Sequence, residues 1–119
     1  MHDIIFYEDT NGNSLVYNYI VNLSKRTDKA SRINWNKIND YLEVLSIHGT
    51  AAGEPFVKHL EGDIWELRPI KNRILFAAWI NGNFILLHHF VKKTRKTPSQ
   101  EINQAKHNLK DFQERSKKP

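Results

Sequence analysis

Ile4-Ile5-Phe6-Tyr7 is a short apolar run that predicts a first strand. Asn11-Gly12-Asn13 breaks it and offers Asn13 as a helix cap. Val16, Tyr19, Ile20 and Leu23 then recur at helical spacing and predict a first helix. Thr27-Asp28 supplies the next cap, and a second helix runs to about Ile47 with Trp35, Ile38, Leu42 and Leu45 as its apolar stripe. Aromatics at that spacing belong to a core, so Trp35 and Tyr41 are given no chemistry. His48-Gly49-Thr50 ends this helix, and a glycine-containing connection, 51–62, leads onward. Three strands follow at roughly 63–68, 73–80 and 83–92. Asn81-Gly82 between the last two is the strongest hairpin signal in the chain, because a type I′ turn needs positive φ at both central residues. Thr97-Pro98-Ser99-Gln100 reads as a capping box. It opens a final helix that buries Ile102, Ala105, Leu109 and Phe112.

The order β-α-α-β-β-β-α defines an α+β fold. A small antiparallel sheet carries the two N-terminal helices on one face, and the C-terminal helix lies near its exit. Length 119, without a repeat or a long linker, fits one domain spanning 1–119, with 115–119 as a frayed basic tail.

Alternation across the strands assigns faces. A two-residue turn at Asn81-Gly82 sets Ile80 opposite Asn83, Leu75 opposite His88 and Ile74 opposite His89. The preceding loop sets Arg68 opposite Arg73 and Glu66 opposite Leu75. Glu66, Arg68, Arg73, Leu75 and His88 therefore share one face. Trp65, Leu67, Ile74, Phe76, Leu87 and His89 share the other, which is more apolar and should meet the helices. Like charges directly opposite destabilise a sheet. The Arg68–Arg73 pairing thus points to an anion between them, such as an oxyanion or phosphate. The alternative is that Glu66 or Asp63 neutralises one of the two.

Charge strengthens the anion reading. Residues 1–90 hold 9 Lys/Arg against 10 Asp/Glu, whereas residues 91–119 hold 9 against 3. The basic excess lies in the last quarter, and such a patch suits polyanions or an acidic protein. Lys92, Lys93, Arg95 and Lys96 leave the last strand and lead into a helix N-terminus, itself favourable to anions. The chain has no cysteine, which removes disulfides, thiolate catalysis and Cys-based zinc sites. His88 and His89 are adjacent in a strand and point to opposite faces, so they do not share a metal; no metal and no cofactor are expected. No apolar run approaches the roughly 20 residues of a membrane span. The N-terminus lacks a signal-peptide layout, so a cytoplasmic location is expected.

Trp65-Glu66-Leu67-Arg68, Asn72-Arg73-Ile74-Leu75-Phe76, the run Leu86 to Thr94, Thr97-Pro98 and Glu101-Ile102-Asn103-Gln104-Ala105 together resemble the RelE/ParE toxin superfamily. The resemblance is greatest to its phage-derived, HigB-like branch, and it covers roughly residues 56–113. It implies a RelE-like fold and the toxin of a type II toxin–antitoxin system. Such a toxin is held inactive by a cognate antitoxin, commonly a helix-turn-helix HigA-like protein, and meets operator DNA only through it. Active members cleave mRNA on the ribosome without a metal. The 2′-hydroxyl attacks the adjacent phosphodiester, giving a 2′,3′-cyclic phosphate and a 5′-hydroxyl.

By the same resemblance, Arg73 holds the scissile phosphate and Arg68 is a neighbouring basic position. Lys93, with Lys92 beside it, stabilises the leaving oxygen or acts as acid. Arg95, Lys96, Lys58 and His59 are candidate RNA contacts. The general base is open among His88, His59 and Glu66. RelE carries lysines on the strand where this chain has Ile64 and Glu66, and the tyrosine near the start of its last helix has no match. Two other readings stand beside the endoribonuclease: a non-catalytic ParE-like inhibitor of DNA gyrase, and a basic RNA-binding domain that is no toxin.

Overall fold

The structure, a computed structural model, describes residues 1–117. The elements are β1 (Ile4–Phe6), α1 (Leu15–Lys25), α2 (Lys29–His48), β2 (Val57–Glu61), β3 (Ile64–Leu67), β4 (Asn72–Ala78), β5 (Phe84–Val91) and α3 (Ser99–Ser116). They form one five-stranded sheet in the order β1-β5-β4-β3-β2. The α+β class and its α-helices are as the pattern predicts, except that Trp35 of the expected α2 stripe is exposed, one turn before the buried Ile38. Two features of the sheet are not. The expected connection 51–62 contains β2, an edge strand whose burial covers little beyond Val57. Val-Lys-His-Leu-Glu carries too few apolar residues to read as a strand. In addition, β1 pairs with β5 in parallel, in an otherwise antiparallel sheet. No turn joins β1 to its neighbour, so nothing local fixes its direction.

Each face of the sheet is covered. Val16 and Leu23 of α1 and Ile38 and Leu45 of α2 pack on Leu67, Ile74, Phe76 and Leu86. On the opposite face, Ala105 and Leu109 of α3 pack on Ile64, Leu75, Ala77, Ile85 and Leu87. Burial of these aliphatic side chains supplies most of the driving force, at about 1.5–3 kcal/mol for each large one.

The helix caps differ in part from expectation. Ser14, not Asn13, caps α1, accepting from Tyr17 N at 3.2 Å. Asn13 is held in the preceding turn, where its N–H donates to Asp9. Asp28 caps α2 through Ser31 N at 3.0 Å. That backbone hydrogen bond, with help from Arg26, holds its carboxyl down at about 2. The capping box at Thr97 does not form. α3 starts at Ser99 after Pro98, and the Thr97 hydroxyl donates to Glu66 instead. Nor is the chain frayed from Arg115. That guanidinium binds Asp111 and the Glu8 carbonyl and lies over the Tyr7 ring. The rest of the expected tail, 118–119, lies outside the described residues.

The β4–β5 register is reached by two offsets that cancel. Asn81 and Gly82 both have positive φ, +61° and +76°, as a type I′ turn requires. The ladder nevertheless closes one step early: Trp79 N donates to Asn83 O at 2.6 Å, and Ala78 faces Phe84. Ile80 is therefore not opposite Asn83. A β-bulge then leaves Leu87 unopposed, between the pairs Phe76–Leu86 and Leu75–His88. Beyond it, Leu75 faces His88 and Ile74 faces His89, as predicted. The bulge also turns Leu87 onto the α3 face, away from the α1/α2 face to which strict alternation assigns it.

Candidate functional site

Glu66, Leu75 and His88 lie in one row across β3, β4 and β5, with Lys58 of β2 opposite Glu66. The first turn of α3 lies over this row. At one side Thr97 donates to Glu66 Oε2; at the other Glu101 Oε1 lies 3.0 Å from His88 Nε2. The face that carries the predicted site is thus not an open platform.

The anion between the two sheet arginines is the protein's own. Glu66 is 1% exposed. Its Oε1 lies 3.3 Å from Arg68 Nε and 3.8 Å from Arg73 Nε. This is the neutralising arrangement that the register left as the alternative, and it removes the argument that an external phosphate must separate the pair. Removing one partner of a buried pair leaves an uncompensated charge, at a cost of about 3–5 kcal/mol. The Arg68 Nε–H sits at ion-pair distance but is not aimed at the oxygen, and it is buried without a hydrogen bond. Arg68 Nη1 reaches the exposed Glu54 at 3.4 Å.

Arg73 is 6% exposed and anchors backbone. Its Nη1 donates to the carbonyls of Ile70, at 2.9 Å, and Asn72, at 2.8 Å. Burial lowers its pKa and the charge of Arg68 adds to this, while Glu66 acts the other way. The loop it holds is unusual. Ile70 has φ +59°, a left-handed conformation that a β-branched residue adopts only under constraint. Such a residue costs about 1–3 kcal/mol unless its surroundings impose it. They do so here: Asn72 donates to the Pro69 carbonyl from both its backbone N–H and its amide, and Arg73 holds the next carbonyl.

Asn72 continues inward to a buried polar network. Its Oδ1 accepts from Tyr19 OH at 2.9 Å and lies 3.1 Å from His89 Nε2. Its Nδ2 donates to Asn34 Oδ1 at 2.8 Å. The Tyr19 and His89 rings stack at 3.7 Å. An amide oxygen only accepts, so His89 Nε2 carries the proton. Burial, and secondarily His88, pushes His89 down to about 4, and it is neutral at ordinary pH.

The free cations gather at the end of the sheet. Lys93, Arg95 and Lys96 are exposed and Lys92 is half-buried. None has an ion-pair partner among the described residues. Lys92 N donates to Lys71 O at 2.7 Å, which brings the exposed Lys71 into the same group. The sequence reading passed over Lys71, although the predicted β4–β5 register already set it beside Lys92. Lys58 is exposed on the Glu66 face. His59 is on the other side of the edge strand, bonded to Gly62 O at 2.8 Å and packed edge-on to Trp65, so it does not join the site. His88 faces Leu75 of β4, which stands between it and Glu66 of β3. It also lies four residues before Lys92, about 13 Å along an extended strand. It opens instead onto a cleft of about 480 Å³ between the β1–α1 loop and α3, with Tyr7, Gln104, His107 and Asn108 on its walls. Among the described residues no group of His, Asp or Glu side chains is arranged to hold a metal.

A five-stranded sheet with three α-helices in one compact globule fits a RelE-like α+β fold. The family model for phage-derived Gp49-like proteins (DUF891) matches residues 21–110, and the chain belongs to that family, a toxin-like group within the RelE/ParE superfamily. Membership implies an antitoxin partner. No curated protein matches the chain. Among the described residues no helix is long and apolar enough to cross a membrane.

Proposed function

We propose that the protein is the toxin of a type II toxin–antitoxin system of the HigB-like kind, a metal-independent endoribonuclease that cuts mRNA on the ribosome. The observation that carries this reading is the rim of cations, Lys71, Lys92, Lys93, Arg95 and Lys96, without ion-pair partners among the described residues and gathered where β5 leaves the sheet. Cations without internal partners are free to take phosphates and to release counterions from RNA. In this scheme Lys92 and Lys93 grip the scissile phosphate, and Lys93 stabilises the leaving 5′-oxygen. Arg68 and Lys58 extend the grip along the Glu66 face. Arg73 acts from behind, by holding the β3–β4 loop. His88, paired with Glu101 in a separate cleft, is left out of this scheme, and water takes the proton of the attacking 2′-hydroxyl.

The test is to express the chain and map RNA ends. Cuts with 5′-hydroxyl ends on translated mRNA, lost in a Lys92→Ala/Lys93→Ala variant, are the expected result. The non-catalytic reading, inhibition of DNA gyrase, draws support from one observation: His88 and the cation rim are separated by the start of α3. Poisoned supercoiling with intact mRNA in the same cells would replace the first reading with the second.

A further inference from the structure

Ile70 is 45% exposed at the tip of the β3–β4 loop. It stands next to Lys71, and Lys71 is bonded through its backbone to Lys92. An apolar, β-branched side chain thus projects beside a cationic rim. Its left-handed backbone suits glycine or asparagine and disfavours isoleucine. The conformation is locked from inside by Arg73 Nη1 on the Ile70 carbonyl and by Asn72 on that of Pro69. The lock explains how the backbone is held, but it uses no atom of the Ile70 side chain. Nothing in the fold calls for isoleucine there, since the side chain is half in water.

We infer that Ile70 is a base-contacting residue: its side chain packs against an unstacked nucleobase of single-stranded RNA whose phosphates lie on Lys71, Lys92 and Lys93. The inference rests on the RNA reading proposed above. An apolar wedge beside phosphate-binding cations is a general way to hold a base out of its stack. The surrounding positive charge favours a polyanion that also offers apolar faces, as single-stranded RNA does. Arg73 and Asn72 are then positioning residues, presenting Ile70 at a fixed height above the rim.

The experiment compares the wild-type chain with Ile70→Gly and Ile70→Asn, which both relax the backbone and remove the apolar contact. Binding is measured by fluorescence anisotropy at low salt, on a labelled RNA decamer and on an abasic decamer with the same phosphates. Both variants should melt no lower than wild type and bind the RNA about tenfold more weakly, equivalent to ~1.4 kcal/mol. On the abasic oligomer they should match wild type, and their salt slopes should be unchanged because no phosphate contact is lost. Equal RNA affinity of wild type and variants overturns the inference and leaves the RNA reading intact. An equal loss on both oligomers also overturns it, since the side chain would then serve the backbone grip. A wild-type chain that binds neither oligomer overturns the RNA reading itself.

Discussion

The hydroxyl of Thr97 donates to Oε2 of Glu66 and fastens the end of the basic loop to the buried carboxylate whose other oxygen faces Arg68 and Arg73. One acidic side chain thereby sets the relative position of the β3 arginine, the β4 arginine and the lysine-rich exit of β5.

Glu66→Gln keeps the shape and the bond to Thr97 but removes the charge between two arginines, one of them almost wholly buried. A loss of about 3 kcal/mol is expected, read as a lower urea midpoint with an unchanged slope. A loss under about 1 kcal/mol would mean that water screens the cluster.

Thr97→Val removes one hydrogen bond, at a cost of about 1 kcal/mol, and frees the loop. Amide exchange should speed up across 93–97 and stay unchanged in β4. Uniform protection in the variant would show that the tether does not set the loop's position.

Lys92→Ala and Lys93→Ala should leave the melting temperature near wild type, because neither side chain has an ion-pair partner among the described residues. RNA binding should weaken for all sequences, and the salt dependence should flatten by about 0.7 per lysine. A steep, unchanged slope in the double variant would place the phosphates elsewhere.

His89 makes stability depend on pH. Its folded pKa, about 4, lies below its ordinary value of 6.5, so the unfolded chain binds more protons between those values. Stability is complete above about pH 6.5 and falls as pH drops toward 4, by about 3 kcal/mol across the window. Urea titrations at several pH values should show this slope, and His89→Gln should lack it. A flat profile in the wild type would mean that the ring is more accessible than its stacking on Tyr19 implies.

His88 and its partner Glu101 lie apart from the cation rim, so Glu101→Gln should leave the pH profile of cleavage unchanged. His88→Ala should likewise leave cleavage and affinity for RNA near wild type. A loss of at least 100-fold in cleavage with RNA affinity unchanged would bring His88 into the chemistry as the proton acceptor.

Much of this was legible in the residues. Helical spacing located α1, α2 and α3, and alternation put Glu66, Leu75 and His88 on one face. The rest depended on partners distant in sequence. Nothing local says that the Thr97 hydroxyl prefers Glu66 to its own helix, or that a bulge at Leu87 cancels the early closure at Trp79. The pairing of Arg68 with Arg73 was readable. The sign of its meaning was not, because Glu66 reaches both only once β3 and β4 are in register. Ile70 gave no signal at all, since an isoleucine in a loop reads as chance until its φ is known.

The parallel pairing of β1 with β5 joins segments about 80 residues apart. During synthesis the first strand must therefore wait until most of the chain has left the ribosome before it finds its neighbour, and α3 follows later still. A nascent chain has no complete rim and no covered sheet. The sheet is covered on both faces and the rim is in place only once α3 has emerged.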